Sequence, residues 1–212
     1  MNVRIRYSKT GRAKYISHLD MLRTFQRAFA RAGIDLVHSE GFNPHPKLNL
    51  VLPLPTCCES LCEYLDAGVN GEYPDLCGRL NAALPEGIRM LSAAEPVMKA
   101  GSVRFASWST LLRLDGASPQ KTAEYAARVL SAPELPVVKK TKRGESVVDL
   151  KKYMTDLGVT TEDAGVRIGV TLPTFEPSLT PRNILAALPE LPEYVEYTVR
   201  TEIYNEKMEP FC

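Results

Sequence analysis

Three histidines, one well-placed phenol and a dense set of cations are the residues of this 212-residue chain that can do chemistry. His18 lies in the run Lys14-Tyr15-Ile16-Ser17-His18-Leu19-Asp20. His45 lies between two prolines in Gly41-Phe42-Asn43-Pro44-His45-Pro46-Lys47, and His38 is the third. A metal-free ribonuclease needs a general base, a general acid and cationic support for its transition state. His18 or His45, with Tyr15 and Lys14, can supply that set. The ordinary role of a histidine at a helix start is packing or capping, and that alternative stands beside the catalytic one.

The cations point to an anionic partner. Residues 1–47 hold nine basic groups (Arg4, Arg6, Lys9, Arg12, Lys14, Arg23, Arg27, Arg31, Lys47) against Asp20, Asp35 and Glu40, a net +6 in a chain whose total is +1. Arg23, Arg27 and Arg31 recur every fourth residue and so form one stripe on a helix. Guanidinium and ammonium groups neutralise backbone phosphates without reading sequence. A solvated helix face is the alternative reading of the stripe. Lys139, Lys140, Lys142 and Arg143 cluster at an expected hairpin tip, with Lys151 and Lys152 following and Glu145 and Asp149 interleaved. A solvated hairpin accounts for that cluster.

The loop at residues 41–47 is stiff by composition. Pro44 and Pro46 fix their own φ, and each biases the residue before it toward extended backbone. A stiff loop loses little entropy on binding. It can offer Phe42 for base stacking, Asn43 and Lys47 as polar contacts, and His45 as donor or acceptor. The alternative is a rigid connector with Phe42 tucked into the core.

Several classes are disfavoured. The five cysteines (Cys57, Cys58, Cys62, Cys77, Cys212) are odd in number and irregular in spacing, unlike a secreted disulfide framework. Cys57, Cys58 and Cys62 match neither zinc nor iron–sulfur spacing, since Leu65 stands where a third ligand would fall. No metal and no cofactor is expected. No P-loop, dinucleotide-binding glycine motif, nucleophile elbow or zincin motif occurs. No apolar run approaches the ~18–20 residues that span a bilayer, and the first residues alternate like a strand. A cytoplasmic protein is expected.

The elements that must position these residues follow from periodicity. Residues 3–8 alternate, with Val3, Ile5 and Tyr7 on one side and Arg4 and Arg6 on the other. That second face is expected to be free or to meet the second half. Ser8-Lys9-Thr10-Gly11 signals a turn. A helix starts at Ser17, whose side chain pairs with Asp20 in a capping-box manner, and Gly33 closes it. Leu19, Leu22, Phe25, Phe29 and Ala32 have core spacing. Short strands are expected at 34–38 and 47–54, a further strand at 62–69, a helix at 74–84 and a strand at 88–96. The order is βαββαβ with one extra short strand, the ferredoxin-like pattern. It recurs after a junction at 98–101: a strand at 103–114, a helix at 118–131, a hairpin at 137–142 and 145–150, a strand at 166–172, a short helix at 180–188 and a last strand at 194–204. The expected fold is α+β, two tandem ferredoxin-like halves at 1–98 and 99–212 in a RAMP-like arrangement. One continuous α+β domain is the alternative.

The runs Arg4-Ile5-Arg6-Tyr7-Ser8-Lys9-Thr10-Gly11, Lys14 to Asp20 and Gly41 to Lys47 together resemble a bacterial family known as the radical SAM-linked proteins, a domain of unknown function. The likeness spans residues 3–66, ending near Glu63-Tyr64-Leu65-Asp66, and is loose beyond. It implies a domain that stands alone or is fused behind a B12-type radical SAM protein, often encoded near ribonuclease G. A radical SAM enzyme as partner and an RNA or ribosome-related substrate follow from that resemblance. This chain carries no radical SAM cluster motif, and Cys57-Cys58 stand where the family has Gly-Val-like residues. The element order is also similar to that of the tandem ferredoxin-like RAMP endoribonucleases that process CRISPR repeat RNA.

The leading expectation is therefore a non-catalytic RNA-binding or substrate-presenting module. Its contacts would be Arg4, Arg6, Lys9, Arg12, Lys14, Arg23, Arg27, Arg31, Phe42, Asn43, His45 and Lys47. A metal-independent endoribonuclease using His18, His45 and Tyr15 is the second expectation, and a protein-interaction domain docking a radical SAM partner is the third.

Overall fold

Strand alternation and helix spacing build two compact units in the computed structural model, which describes residues 1–141 and 144–212. The first unit is Met1–Val103 with Pro210–Cys212, and the second is Arg104–Glu209. The division thus falls a few residues beyond the expected junction, and the last three residues return to the first unit.

In the first unit, β1 (Asn2–Lys9) leads through a 3-10 turn at Gly11–Tyr15 into α1 (His18–Arg31). β2 (Leu48–Leu50), β3 (Glu59–Gly68), α2 (Leu76–Ala83) and β4 (Ile88–Ala94) follow. Every pairing is antiparallel, and the strands lie in the order β4-β1-β3 with β2 on the far side of β3. Ser17 caps α1, its Oγ accepting from the Asp20 N–H at 3.2 Å. Gly33 follows the C-cap with φ +65°, a conformation costly for any residue with a Cβ. Met21, Phe25, Ala28 and Phe29 of α1 and Leu76 and Leu80 of α2 pack on Val3, Ile5, Tyr7, Leu65, Ala67 and Met90. Tyr7 and Phe25 meet edge to face with centroids 5.1 Å apart. Arg4, Arg6, Tyr64 and Asp66 alternate onto the opposite face.

Two expectations about this unit are corrected. Leu19 is 63 % exposed, and Met21 is buried in its place. The buried stripe runs 21, 25, 28, 29, so its extension into the first turn passes through His18 and misses Leu19. The extra strand at 34–38 is reduced to two isolated bridges, Leu36 to Val69 and His38 to Pro46.

The second unit contains β5 (Phe105–Leu114), α3 (Pro119–Leu130), β6 (Pro136–Thr141), β7 (Gly144–Asp149), β8 (Thr155–Glu162), β9 (Gly165–Pro173), α4 (Pro181–Ala186) and β10 (Tyr194–Tyr204). Its main sheet has the order β10-β5-β9-β8, again antiparallel throughout. β6 and β7 pair only with each other. The expected hairpin therefore exists but is no part of the main sheet, and β8, absent from the sequence reading, takes the position beside β9. The chain is thus a mixed α+β protein with antiparallel sheets and, among the described residues, four α-helices. Of the cations expected at the hairpin tip, Lys142 and Arg143 lie outside the described residues. No helix among the described residues is long and apolar enough to cross a membrane.

Candidate functional site

The sequence-derived candidates fall at two opposite ends of the first unit. β1 runs from one end to the other, about 25 Å at ~3.3 Å per residue. His18 follows its last residue, whereas β2 begins level with Val3, since both Leu48 and Val3 pair with Ala67. His45 lies beyond that second end. His18 and His45 therefore do not form one catalytic pair.

At the first end, the 3-10 turn is clamped to the start of β4. The Thr10 N–H donates to Gly87 O at 2.7 Å, and a Cβ on Gly87 would stand 2.4 Å from Thr10 O, so only glycine fits. The turn exposes Arg12 and Tyr15 and half-exposes Lys14, whose Nζ lies 5.4 Å above the Tyr15 ring. Lys9 is directed inward instead. Its Nζ donates to Ile16 O at 2.8 Å. Burial pushes its pKa down, while the charges of Glu63 and Cys58 oppose that shift. Lys9, Tyr7, Met21, Glu63 and His18 line a crevice of about 10 Å³, room for roughly one water. Any reactant at this end must lie outside it, against His18 and Tyr15. The arrangement sets an exposed imidazole at the mouth of a crevice that also holds Lys9 and Glu63.

At the second end, the stiff loop forms an arm with hydrogen-bonded feet. The Val37 N–H donates to Gly68 O (2.9 Å), Lys47 N–H to Val37 O (2.8 Å) and Gly68 N–H to Lys47 O (2.9 Å). Further out, Ser39 N–H donates to His45 O (2.8 Å), and His45 N–H donates to Ser39 Oγ (3.0 Å). The tip turns at Gly41, φ +120°. Phe42 is fully exposed there, so it is not tucked into the core. Asn43, His45 and Lys47 are exposed on the same arm. α1 ends at this side with Arg31, whose Nη2 donates to Ala83 O at 2.6 Å. Arg27 and Arg23 are exposed one and two turns back, Arg23 pairing with Asp20 at 3.1 Å.

Beside the arm, on the sheet face away from the helices, lies a cleft of about 550 Å³. Asn2, Asn49, Asp66 and Arg4 form its floor, and the segment from Pro96 to Ala100 forms one wall. Arg4 is only 4 % exposed and is fully engaged. Its Nε and Nη2 bind the two Asp66 oxygens at 2.7 and 2.8 Å. Its Nη1 donates to Met98 O and Cys212 O, both at 2.7 Å, and its guanidinium lies 4.4 Å from the Phe211 ring centroid. Arg6 is half-buried with its guanidinium 6.0 Å from the Tyr64 ring centroid. The strand face carrying Arg4 is therefore covered locally by the returning residues 210–212 of the same unit. Arg4 and Lys9 are buried and engaged, whereas Arg12, Arg23, Arg27, Arg31 and Lys47 are exposed, Arg23 with Asp20 as a partner.

Glu63, Asp66 and Asn49 were not among the sequence candidates. The signal for Glu63 and Asp66 is visible in retrospect as carboxylates among the apolar residues of β3, but only the register places them and Asn49. Among the described residues, no group of three or more His, Cys, Asp or Glu side chains is arranged to hold a metal ion. No curated protein matches the chain. Residues 2–180, which include both ends of the first unit, match a family of uncharacterized proteins conserved in bacteria, DUF2344, and the chain belongs to that family.

Proposed function

We propose that this protein is a non-catalytic RNA-binding module that presents its ligand to a partner radical SAM enzyme. The observation that carries the reading is Phe42, a large apolar ring held entirely in solvent on an arm braced at its feet. A pre-ordered aromatic ring with both faces in solvent is what an unpaired base stacks on. The exposed stripe Arg23, Arg27, Arg31 on the helix leading into the arm, with Lys47 at its foot, supplies phosphate contacts. The strand order in each unit, fourth-first-third-second with βαββαβ connectivity, supports two ferredoxin-like units and an analogy with RAMP proteins. The radical SAM partner rests on the motif resemblance alone, and co-purification from native cells is its test.

Fluorescence anisotropy with short unstructured RNA tests the binding. Wild-type protein is expected to bind in a salt-sensitive manner. Phe42→Ala is expected to lose about 1–3 kcal/mol, the usual worth of one stacked base. A wild type that binds no RNA at low salt would overturn the reading. A second reading, a metal-independent endoribonuclease, is favoured by His18 at the mouth of the crevice holding Lys9 and Glu63. Cleavage in EDTA that His18→Ala abolishes and His45→Ala leaves intact would establish it in place of the first.

A further inference from the structure

We propose that the cleft beside the arm binds one nucleotide of a single-stranded RNA. The proposal deepens the RNA-binding reading and rests on it. Cross-strand register places Asn49 opposite Asp66 and Asp66 opposite Arg4, so one polar row crosses the floor. Arg4 neutralises Asp66 through both carboxylate oxygens, yet each oxygen keeps a further acceptor site, and Asp66 remains 25 % exposed. The Asn49 amide, exposed, adds a donor and an acceptor. A heterocycle edge carrying both kinds of group finds partners there without facing a net charge.

The walls suit the rest of a nucleotide. Val97 is 80 % exposed and offers an apolar surface to a ring face. Lys47 and Lys99, both exposed, stand on the rim where a phosphate would lie. The wall is fixed before any ligand arrives, because Arg4 Nη1 holds Met98 O at 2.7 Å and the Met98 N–H donates to Cys212 O at 3.3 Å. A preformed cleft of about 550 Å³ lies within the usual range for small-molecule sites, roughly 300–1,000 Å³. Lys47 belongs to both the arm and the cleft, so a strand stacked on Phe42 is led into the cleft by its own backbone.

The test uses the full chain, a short unstructured oligoribonucleotide and the four nucleoside 5′-monophosphates. Val97→Trp fills the cleft from an exposed position, and Lys99→Glu reverses the rim charge. Lys121→Glu on α3, also exposed, controls for net charge. Val97→Trp and Lys99→Glu are each expected to weaken RNA binding about tenfold, with the Lys121→Glu protein close to wild type. At least one monophosphate is expected to shift the amide resonances of Lys47, Asp66 and Lys99 in wild type but not in Val97→Trp. RNA binding that Val97→Trp leaves unchanged, with no such shifts, would overturn the cleft and leave the Phe42 reading standing. Monophosphate shifts in a wild type that binds no RNA would overturn the RNA reading and this assignment with it.

Discussion

Arg4 shows how a residue type can be read correctly as special and assigned the wrong neighbours. Its position in a basic, alternating strand points outward to phosphate. Its actual partners are Asp66, 62 residues away in sequence, and the oxygens of Met98 and Cys212. None of those separations is visible in local pattern, whereas the exposed cations of α1 are, because helical spacing alone puts Arg23, Arg27 and Arg31 on one stripe. The Asp66 fork and the stack over Phe211 require a planar guanidinium. Arg4→Lys keeps the charge and loses both. It is expected to lower unfolding stability by about 2 kcal/mol, the scale of lost hydrogen bonds to a charged group, since the lysine charge still faces Asp66. Urea titration checks this, and an unchanged midpoint would mean that the three-way anchor carries no stability.

At the scale of elements, the strongest local signals gave the best boundaries. Ser17 with Asp20 marks the start of α1, and Ser118 followed by Pro119 marks the start of α3. The Ser17 hydroxyl, and after it Arg23, hold the Asp20 carboxyl below its ordinary 3.8. A carboxyl lowered in the folded state stabilises above its unfolded value, and that contribution disappears as pH falls through the folded value. The melting temperature of wild type should therefore exceed that of Asp20→Asn by a constant amount above about pH 5 and converge with it in stronger acid. A difference that persists unchanged at low pH would remove Asp20 ionisation as the cause. β8 was illegible for a physical reason. It is an end strand of its sheet with no buried side chain, interrupted by Gly158 and by Asp156 at φ +51°, so it carries no period-two apolar signal. The hairpin β6–β7 is legible instead from its Val-rich runs on either side of Arg143-Gly144.

The chain divides into two units, each with two of the four α-helices among the described residues, and the second carries the additional hairpin β6–β7. The return of residues 210–212 to the first unit is not legible in the sequence, since nothing local in Glu-Pro-Phe-Cys marks a docking segment. Phe211 is 1 % exposed, meets Tyr64 edge to face at 5.1 Å, and lies against the Arg4 guanidinium. Its main-chain oxygen accepts from the Tyr64 hydroxyl at 2.5 Å. It thus ties the chain's end to β1 and β3, the strands that carry the cleft floor. Phe211→Ala removes an aromatic from a packed site and is expected to cost the first unit about 3 kcal/mol. Cys62 is fully buried in β3, two residues from Tyr64, and so reports opening of this sheet by its reactivity toward an exposed-thiol reagent. In the regime where opening is fast relative to labelling, that loss accelerates Cys62 modification by about two orders of magnitude. Labelling at the wild-type rate would show that the first unit holds its sheet together without the returning segment, and that the cleft wall is fixed by Arg4 alone.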